Sequence, residues 1–318
     1  MYRKKKSTKS TKDIYTIITD EVIKGLEEKG GDWFKSWAGN EHTMTISHTS
    51  GKIYRGINQL LLSLSMMMND YSSREFITFN QAKKLGGKIK KGSVSSMVVH
   101  WNVSYYITDK KGKRIYLKTD ELNYPIIPKG YKQEDVNKSM SARYFKVFNL
   151  DCVDGVEDKH NIKEVIKGSV FEPIENADSI YTNMRKKPTL EHRDNAGCFY
   201  RPSQHLINMS SPETFASPDD YYKVLYHEMI HSTGHKDLLN RKTLNAPNYN
   251  RESYSQEELV AELGAMFLTN ILGLEPKNDK VNSQTYINGW IKHLKNHPKE
   301  ILFASSQAQK SVEYILNK

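Results

Sequence analysis

Cysteine is nearly missing from this chain: Cys152 and Cys198 are its only two in 318 residues. Two thiols without close spacing exclude a disulfide framework and a thiolate metal site, and they suit a reducing compartment. There is no run of about 18 apolar residues, so no segment is expected to span a membrane. The stretch from Leu60 to Met68 is apolar but short and broken by serines, and reads as a buried helix. Residues 1–12 are basic with no apolar stretch behind them, which excludes an ordinary secretory signal. They are expected to form a disordered tail. These absences predict a cytoplasmic protein. Internal repeats are absent too, and the length is enough for two domains with a core each.

Acidic residues are scarce in the front half. Residues 1–150 carry a net charge of +13 and residues 151–318 a net charge of −3. A positive half joined to a near-neutral one suggests that the front holds a polyanion, above all nucleic acid, through release of counterions. A basic surface is often merely solvated, but here aromatic residues are interleaved with the cations. Trp33, Trp37, Tyr54, Phe79 and Trp101 lie among Arg55, Lys88, Lys91 and Lys146. With this combination single-strand binders stack bases of any identity and follow the backbone. Such rings are more often packed than exposed, so fewer than half of the front-half aromatics are expected to meet a base. The turn Tyr54-Arg55-Gly56 is the strongest candidate, because it lies between Gly51 and a helix expected near Asn58.

Chemistry enters at His227-Glu228-Met229-Ile230-His231. Histidines at i and i+4 of a helix share one face, so both rings reach a single ion about 2.0 to 2.1 Å away. Glu228 lies on the flank, where it takes a proton from a metal-activated water instead of binding the metal. Ser217 as N-cap, Pro218 at the first helical position, Asp219 and Asp220 in the first turn and Gly234 at the end predict the helix this spacing needs. A lone histidine is more often a core residue than a ligand; the pair with Glu228 beside it reverses that balance.

A third protein ligand is required, with a fourth position open. Glu258 and Glu262 are i and i+4 on a later helix, so one can bind the metal while the other orients a histidine ring through its second nitrogen. Glu258 is assigned as ligand and Glu262 as the orienting carboxylate. Ser255-x-x-Glu258 is also a capping box, which would tie Glu258 to its own helix end. A helix starting at Ser253 leaves it free. Asp237, three residues past Gly234, and His235 beside that turn compete as the third ligand. Tyr254, His235 and Arg241 are candidates to stabilise an oxyanion, and each is equally readable as structural.

The periodicity and turn residues predict an α+β chain. Helices are expected over about 12–29, 58–69 and 80–86, a strand over 93–106, a hairpin turn at Asp109-Lys110-Lys111-Gly112 and a strand over 144–150. A second hairpin around Pro202-Ser203-Gln204 offers an edge to an extended peptide, and helices close the chain over 285–294 and 304–316. The acidic stretch 151–158 marks a boundary, giving a tail over 1–12, a front domain over 13–157 and a back domain over 165–318.

With both halves read, the chain resembles the antirestriction protein ArdC family of plasmid and phage-borne proteins. The resemblance covers nearly everything after the tail. In front it rests on Trp33 and Trp37, on Tyr54-Arg55-Gly56-Ile57-Asn58, on Ile77-Thr78-Phe79-Asn80-Gln81-Ala82 with Leu85-Gly86-Gly87 and Lys91-Gly92, and on Phe148-Asn149. At the back it rests on His227 to His235 with Leu239-Asn240-Arg241, on Glu257-Glu258-Leu259-Val260-Ala261-Glu262, and on Ser306-Gln307-Ala308-Gln309. The resemblance implies a single-stranded-DNA-binding domain followed by a zincin-like metallopeptidase domain, with a role in protecting incoming DNA from restriction in the bacterial cytoplasm. The donor set itself points to one Zn2+ per chain, and DNA binding in front would bring the peptidase to a DNA-bound host protein as substrate. His205 stands where the family's hairpin usually carries an aspartate, and the insert near 109–140 is outside the family pattern. A reading from another class is a non-catalytic coating or decoy protein whose metal site is structural. A nuclease is weaker, since two-metal phosphodiester sites are rich in carboxylates.

Overall fold

A computed structural model describes residues 13–30, 44–121, 123–160, 177–194, 196–245, 251–274, 276 and 284–318. The basic tail, Trp33, Trp37 and residues 161–164 of the segment joining the two expected domains lie outside the described residues. The elements in chain order are α1 (Ile14–Lys29), β1 (Ile46–Ser47), α2 (Ile57–Asn69), β2 (Glu75–Thr78), α3 (Phe79–Lys84), β3 (Lys88–Ile89), β4 (Ser96–Thr108), β5 (Arg114–Tyr116), β6 (Asn137–Asn149) and β7 (Val153–Asp154). There follow α4 (Ala177–Asn183), β8 (Thr189–His192), β9 (Phe199–Arg201), β10 (Leu206–Met209), α5 (Pro218–Thr233), α6 (Lys242–Asn245), α7 (Arg251–Leu272), α8 (Gln284–Asn296) and α9 (Glu300–Ile315). The fold is mixed α+β, as the sequence predicts. It divides into two compact units, one reaching to Ser96 and resuming at Lys146, the other Met97–Phe145. No described helix is long and apolar enough to cross a membrane.

In the larger unit β1 runs parallel to β2, and β2 runs antiparallel to the end of β6, with Thr78 opposite Val147. Thr78 then caps α3 reciprocally: its hydroxyl accepts from the Gln81 N–H at 3.3 Å, and the Gln81 Oε1 accepts from the Thr78 N–H at 2.9 Å. Ile77, Ala82, Leu150 and Val153 close a small core there. Further along the chain β10 is the middle of three strands, parallel to β8 and antiparallel to β9. That confirms the hairpin read around Pro202.

The helices α5, α7 and α9 make the main core. Leu259, Val260, Ala261, Leu263, Ala265, Met266 and Leu268 are all buried, and so are Glu257 and Glu262, so α7 sits inside with a few carboxylates among its apolar side chains. Gly264 lets α5 come close, because a Cβ there would meet the Ile230 side chain at 2.6 Å. The front helices rest on the terminal ones. The Thr19 hydroxyl donates to the Pro298 carbonyl at 2.6 Å, and Lys295 pairs with Glu27 at 2.8 Å. At the start of α2 the Gly56 N–H donates to the Gln309 Oε1 at 3.1 Å, while Arg55 pairs with Glu313.

In the smaller unit the strands are ordered β6-β4-β5, with β4 antiparallel to β5, and the chain turns at Asp109 as expected, the Gly112 N–H donating to the Asp109 carbonyl at 2.9 Å. Two expected boundaries shift. β6 begins at Asn137 and not near 144, because its first half is polar and lacks the alternation that marks a one-sided strand. α7 begins at Arg251, ahead of both serines considered as caps. Neither Ser253 nor Ser255 caps it, so no capping box claims Glu258.

Candidate metal centre

Local sequence fixes α5 first. The Ser217 hydroxyl accepts from the Asp220 N–H at 3.2 Å, Pro218 occupies the first helical position, and Asp219 and Asp220 face the unpaired N–H groups. The helix stops at Gly234, whose backbone is right-handed. This glycine serves a close approach instead of a left-handed turn: a Cβ would stand 2.8 Å from the Arg241 guanidinium.

Three donors converge from α5 and α7. The Nε2 atoms of His227 and His231 are 3.1 Å apart. Glu258 places one oxygen 3.5 Å from the His227 Nε2 and the other 3.4 Å from the His231 Nε2. Donors about 2.0 to 2.1 Å from a common tetrahedral centre are separated by roughly 3.3 Å, and one ligand atom from each of the three side chains lies within 4.8 Å of the others, so the group can close on one small divalent cation. His227, His231 and Glu258 are the one such group among the described residues. Asp237 is not in it and is largely exposed, its carboxylate nearest the His235 ring at 3.7 Å.

Each ring is held from behind. The His227 Nδ1 meets the Glu262 Oε1 at 3.1 Å, the place assigned to Glu262 from the i, i+4 spacing. The His231 Nδ1 meets the Glu257 Oε1 at 3.2 Å, a partner the sequence reading missed. Nδ1–H donation to a carboxylate leaves Nε2 for the ion. Glu257 is itself gripped: the Arg241 Nε donates to its Oε2 at 3.0 Å, the Arg241 Nη2 donates to its Oε1 at 2.5 Å, and the Thr243 hydroxyl donates at 2.5 Å.

Arg241 therefore cannot stabilise an oxyanion. It is 3 % exposed, and its remaining N–H groups donate to the Ile230 carbonyl at 2.6 Å, the Thr233 hydroxyl at 2.6 Å and the Ser311 hydroxyl at 2.9 Å. His235 also stands apart. Its ring packs 4.9 Å from His205, which donates from Nε2 to the Lys186 carbonyl and accepts at Nδ1 from the Tyr200 hydroxyl. Tyr254 is half exposed and hydrogen-bonds Glu258; burial, then the Glu258 charge, pushes its hydroxyl pKa up. Glu228 is buried and makes no hydrogen bond among the described residues, although its charge acts on both His227 and Tyr254.

The electrostatics are those of a metal-free cluster. Burial would lower the His231 pKa, but hydrogen bonds to Glu257 and Glu258 outweigh it and raise it to about 9. His227 is likewise raised against burial by Glu262 and Glu258. Burial would raise the Glu258 carboxyl, yet its bonds to the two histidines hold it well below the usual carboxylate range. A cation entering here displaces protons.

Of the nucleic-acid candidates, Phe79 is 56 % exposed at the start of α3, just past the last β2–β6 pair, and Lys146 is exposed on β6 just before that pair. Lys88 and Lys91 are exposed beside β3. Tyr54 is mostly enclosed, with its hydroxyl pKa pushed up by burial and its oxygen bonded to Ser47. Arg55 is engaged by Glu313. The turn singled out from sequence is thus occupied by internal contacts. Trp101 is half-buried on β4, in the smaller unit.

A helix-borne histidine pair, a glutamate from the next long helix and carboxylates behind both rings define a zincin-like metal centre. Residues 175–307 match a family of zincin-like metallopeptidases, and residues 12–148 match the N-terminal domain of the anti-restriction factor ArdC. The crystal structure of the antirestriction ArdC protein from the R388 plasmid, in its metal-free form, is similar with a TM-score of 0.69 and 27% identity, over 95% of this chain and 96% of that one. Its Mn(II)-bound form is similar with a TM-score of 0.69 and 28% identity, over 96% and 97%. A DNA primase TraC of Escherichia coli is 27% identical over 99% of this chain, which spans only 21% of that protein. The chain belongs to the ArdC-like antirestriction family, with the zincin-like domain in its back half.

Proposed function

We propose that this protein binds single-stranded DNA through its basic front half and hydrolyses peptide bonds at the His227–His231–Glu258 centre, protecting incoming DNA by acting on a DNA-bound host protein. The observation that carries the peptidase reading is the meeting of the His227 and His231 Nε2 atoms, 3.1 Å apart, with the Glu258 carboxylate, one oxygen 3.5 Å from the first and the other 3.4 Å from the second, and a carboxylate behind each ring. His227, His231 and Glu258 would hold one Zn2+. When bound, the ion supplies Lewis acidity and lowers a water's pKa toward about 7.

The other steps belong to the chain. Glu228 takes the proton from the attacking water and returns it to the leaving amine. Its lack of a hydrogen-bond partner among the described residues suits a group that must exchange protons. Tyr254 is the remaining oxyanion candidate, since its hydroxyl already lies at Glu258 and is half open to solvent. The outer edge of β9 pairs with no strand among the described residues and is available to an extended peptide. Phe79 with Lys146, Lys88 and Lys91 supports nucleic-acid binding, and tethering to DNA raises the local concentration of DNA-bound substrates.

The test is incubation of wild type and Glu228→Gln with a restriction enzyme on its DNA, with and without added single strands. Wild type is expected to release fragments, and more of them with single strands, while Glu228→Gln releases none. Equal protection by both proteins would overturn the peptidase reading in favour of coating.

A further inference from the structure

Two motifs singled out in the sequence, from opposite ends of the chain, meet in the fold, and the function above uses neither. Tyr54-Arg55-Gly56 leads into α2, and Ser306-Gln307-Ala308-Gln309 lies in α9. The Gly56 N–H donates to the Gln309 Oε1 at 3.1 Å, the Gln309 Nε2 donates to the Glu313 Oε1 at 2.9 Å, and Glu313 pairs with Arg55. Gln309 and Glu313 are i and i+4, so both anchors of the front-half turn share one face of α9.

Ser311 lies between those anchors in sequence but roughly 200° round the helix from each, on the opposite face. It is fully buried. Its hydroxyl accepts from the Arg241 Nη1 and from the Thr233 hydroxyl, each at 2.9 Å, and donates to the Gln307 carbonyl at 2.9 Å. Thr233 ends the helix that carries both histidines, and Arg241 grips the Glu257 that accepts from the His231 Nδ1 at 3.2 Å. One face of α9 is therefore seated on the front half while the other supports the clamp on a metal-binding ring. A close-packed helix shifts as a rigid body instead of deforming, so losing the outer seat moves the inner face. A half-exposed ion pair contributes little to stability by itself; its place on this helix is what gives it reach. We infer that Arg55, Gln309 and Glu313 are positioning residues of the metal centre: they seat α9, and α9 seats the Arg241–Glu257 pair that aims the His231 ring. The inference rests on the proposed metal centre and makes the front half part of its metal-binding machinery.

The experiment is competition with a chromophoric chelator for zinc, on variants of the full chain whose folding is checked by melting. Gln309→Ala with Glu313→Ala removes both anchors and should weaken zinc binding by roughly 2- to 30-fold. Arg55→Ala, which leaves α9 itself intact, should weaken it within the same range. Lys295→Ala is the control: it removes a front-to-back pair with Glu27 that lies on α8, and it should keep wild-type zinc affinity even if melting falls. On a Ser311→Ala background, which cuts α9 from Arg241, the two α9 substitutions should have no further effect, because two breaks in one line of contacts do not add. Wild-type zinc affinity in the Gln309→Ala, Glu313→Ala variant and in Arg55→Ala would overturn the inference and leave the metal centre standing. Equal loss in the control, or additive loss on the Ser311→Ala background, would overturn it in favour of general loosening. Failure of the wild type to bind zinc would defeat the metal-centre reading and this inference with it.

Discussion

Glu257→Gln tests whether the histidine geometry is inherited from the arginine behind it. The Glu257 carboxylate is fully buried and accepts from the His231 Nδ1 at 3.2 Å, the Arg241 Nε at 3.0 Å, the Arg241 Nη2 at 2.5 Å and the Thr243 hydroxyl at 2.5 Å. Burial would raise its pKa, but the bonds from His231 and Arg241 prevail and hold it at about 2. Neutralising it has two effects. Losing the carboxylate behind a metal-binding histidine costs about 10- to 100-fold in metal affinity, or roughly 1.4 to 2.7 kcal/mol. Leaving the Arg241 charge buried without its partner costs a further 3 to 5 kcal/mol or so in folding, roughly 6 to 20 °C in melting temperature for a chain of this size. Glu262→Gln is the control, because Glu262 holds the His227 Nδ1 at 3.1 Å with no arginine paired to it among the described residues. It should lose a similar amount of metal affinity and little stability. The assay is competition with a chromophoric chelator for zinc, together with melting of the metal-free proteins. Wild-type zinc affinity in Glu257→Gln, or equal melting of the two variants, would refute the reasoning.

Glu228→Gln should keep its zinc, measured by atomic absorption after gel filtration, and lose peptide hydrolysis by about 100- to 10,000-fold. Glu258→Ala removes one of three donors and should leave the protein without stoichiometric metal in the same measurement. In the metal-free protein the His231 contribution to stability is complete below its ordinary pKa of 6.5 and disappears as pH rises through about 9. The Glu257 contribution is complete above 4.5 and disappears as pH falls toward about 2. Melting of metal-free protein is therefore expected to decline between pH 6.5 and 9, and added zinc to oppose that decline; a flat profile would contradict the assigned bonds. Gly264→Ala should destabilise by about 1 to 3 kcal/mol, visible in denaturant melts, because its Cβ would lie 2.6 Å from the Ile230 side chain.

The parts of the site that were legible in the sequence are those written in local spacing. The i, i+4 histidines, their capped helix and the i, i+4 pair Glu258 and Glu262 all lie within single helices, where 3.6 residues per turn fixes who shares a face. Glu257 and Arg241 escaped because their meeting is tertiary, across 16 residues and a change of element. Nothing in their spacing separates a clamp from an exposed pair. Arg241 also illustrates how a polar residue near a motif invites a catalytic role until its burial is known. In the front half the turn Tyr54-Arg55-Gly56 was visible as a turn, but its partners Gln309 and Glu313 lie about 250 residues away. The hairpin of the smaller unit was half legible: the alternation in β4 shows, whereas the run Asn137-Lys138-Ser139-Met140-Ser141 has no apolar side to reveal it.

Ser311 touches both the Arg241 guanidinium and the Thr233 hydroxyl, and the same helix receives Gly56 and Arg55 from the front half at Gln309 and Glu313, two residues to either side. Sawing the chain at the expected junction would therefore not yield a self-sufficient hydrolase. The excised back portion would present Gln309 and Glu313 to solvent, and the brace behind His231 would hang from a helix stripped of its neighbour. Anyone dissecting this molecule should cut inside the Met97–Phe145 hairpin, which forms a compact unit of its own, and leave the rest in one piece.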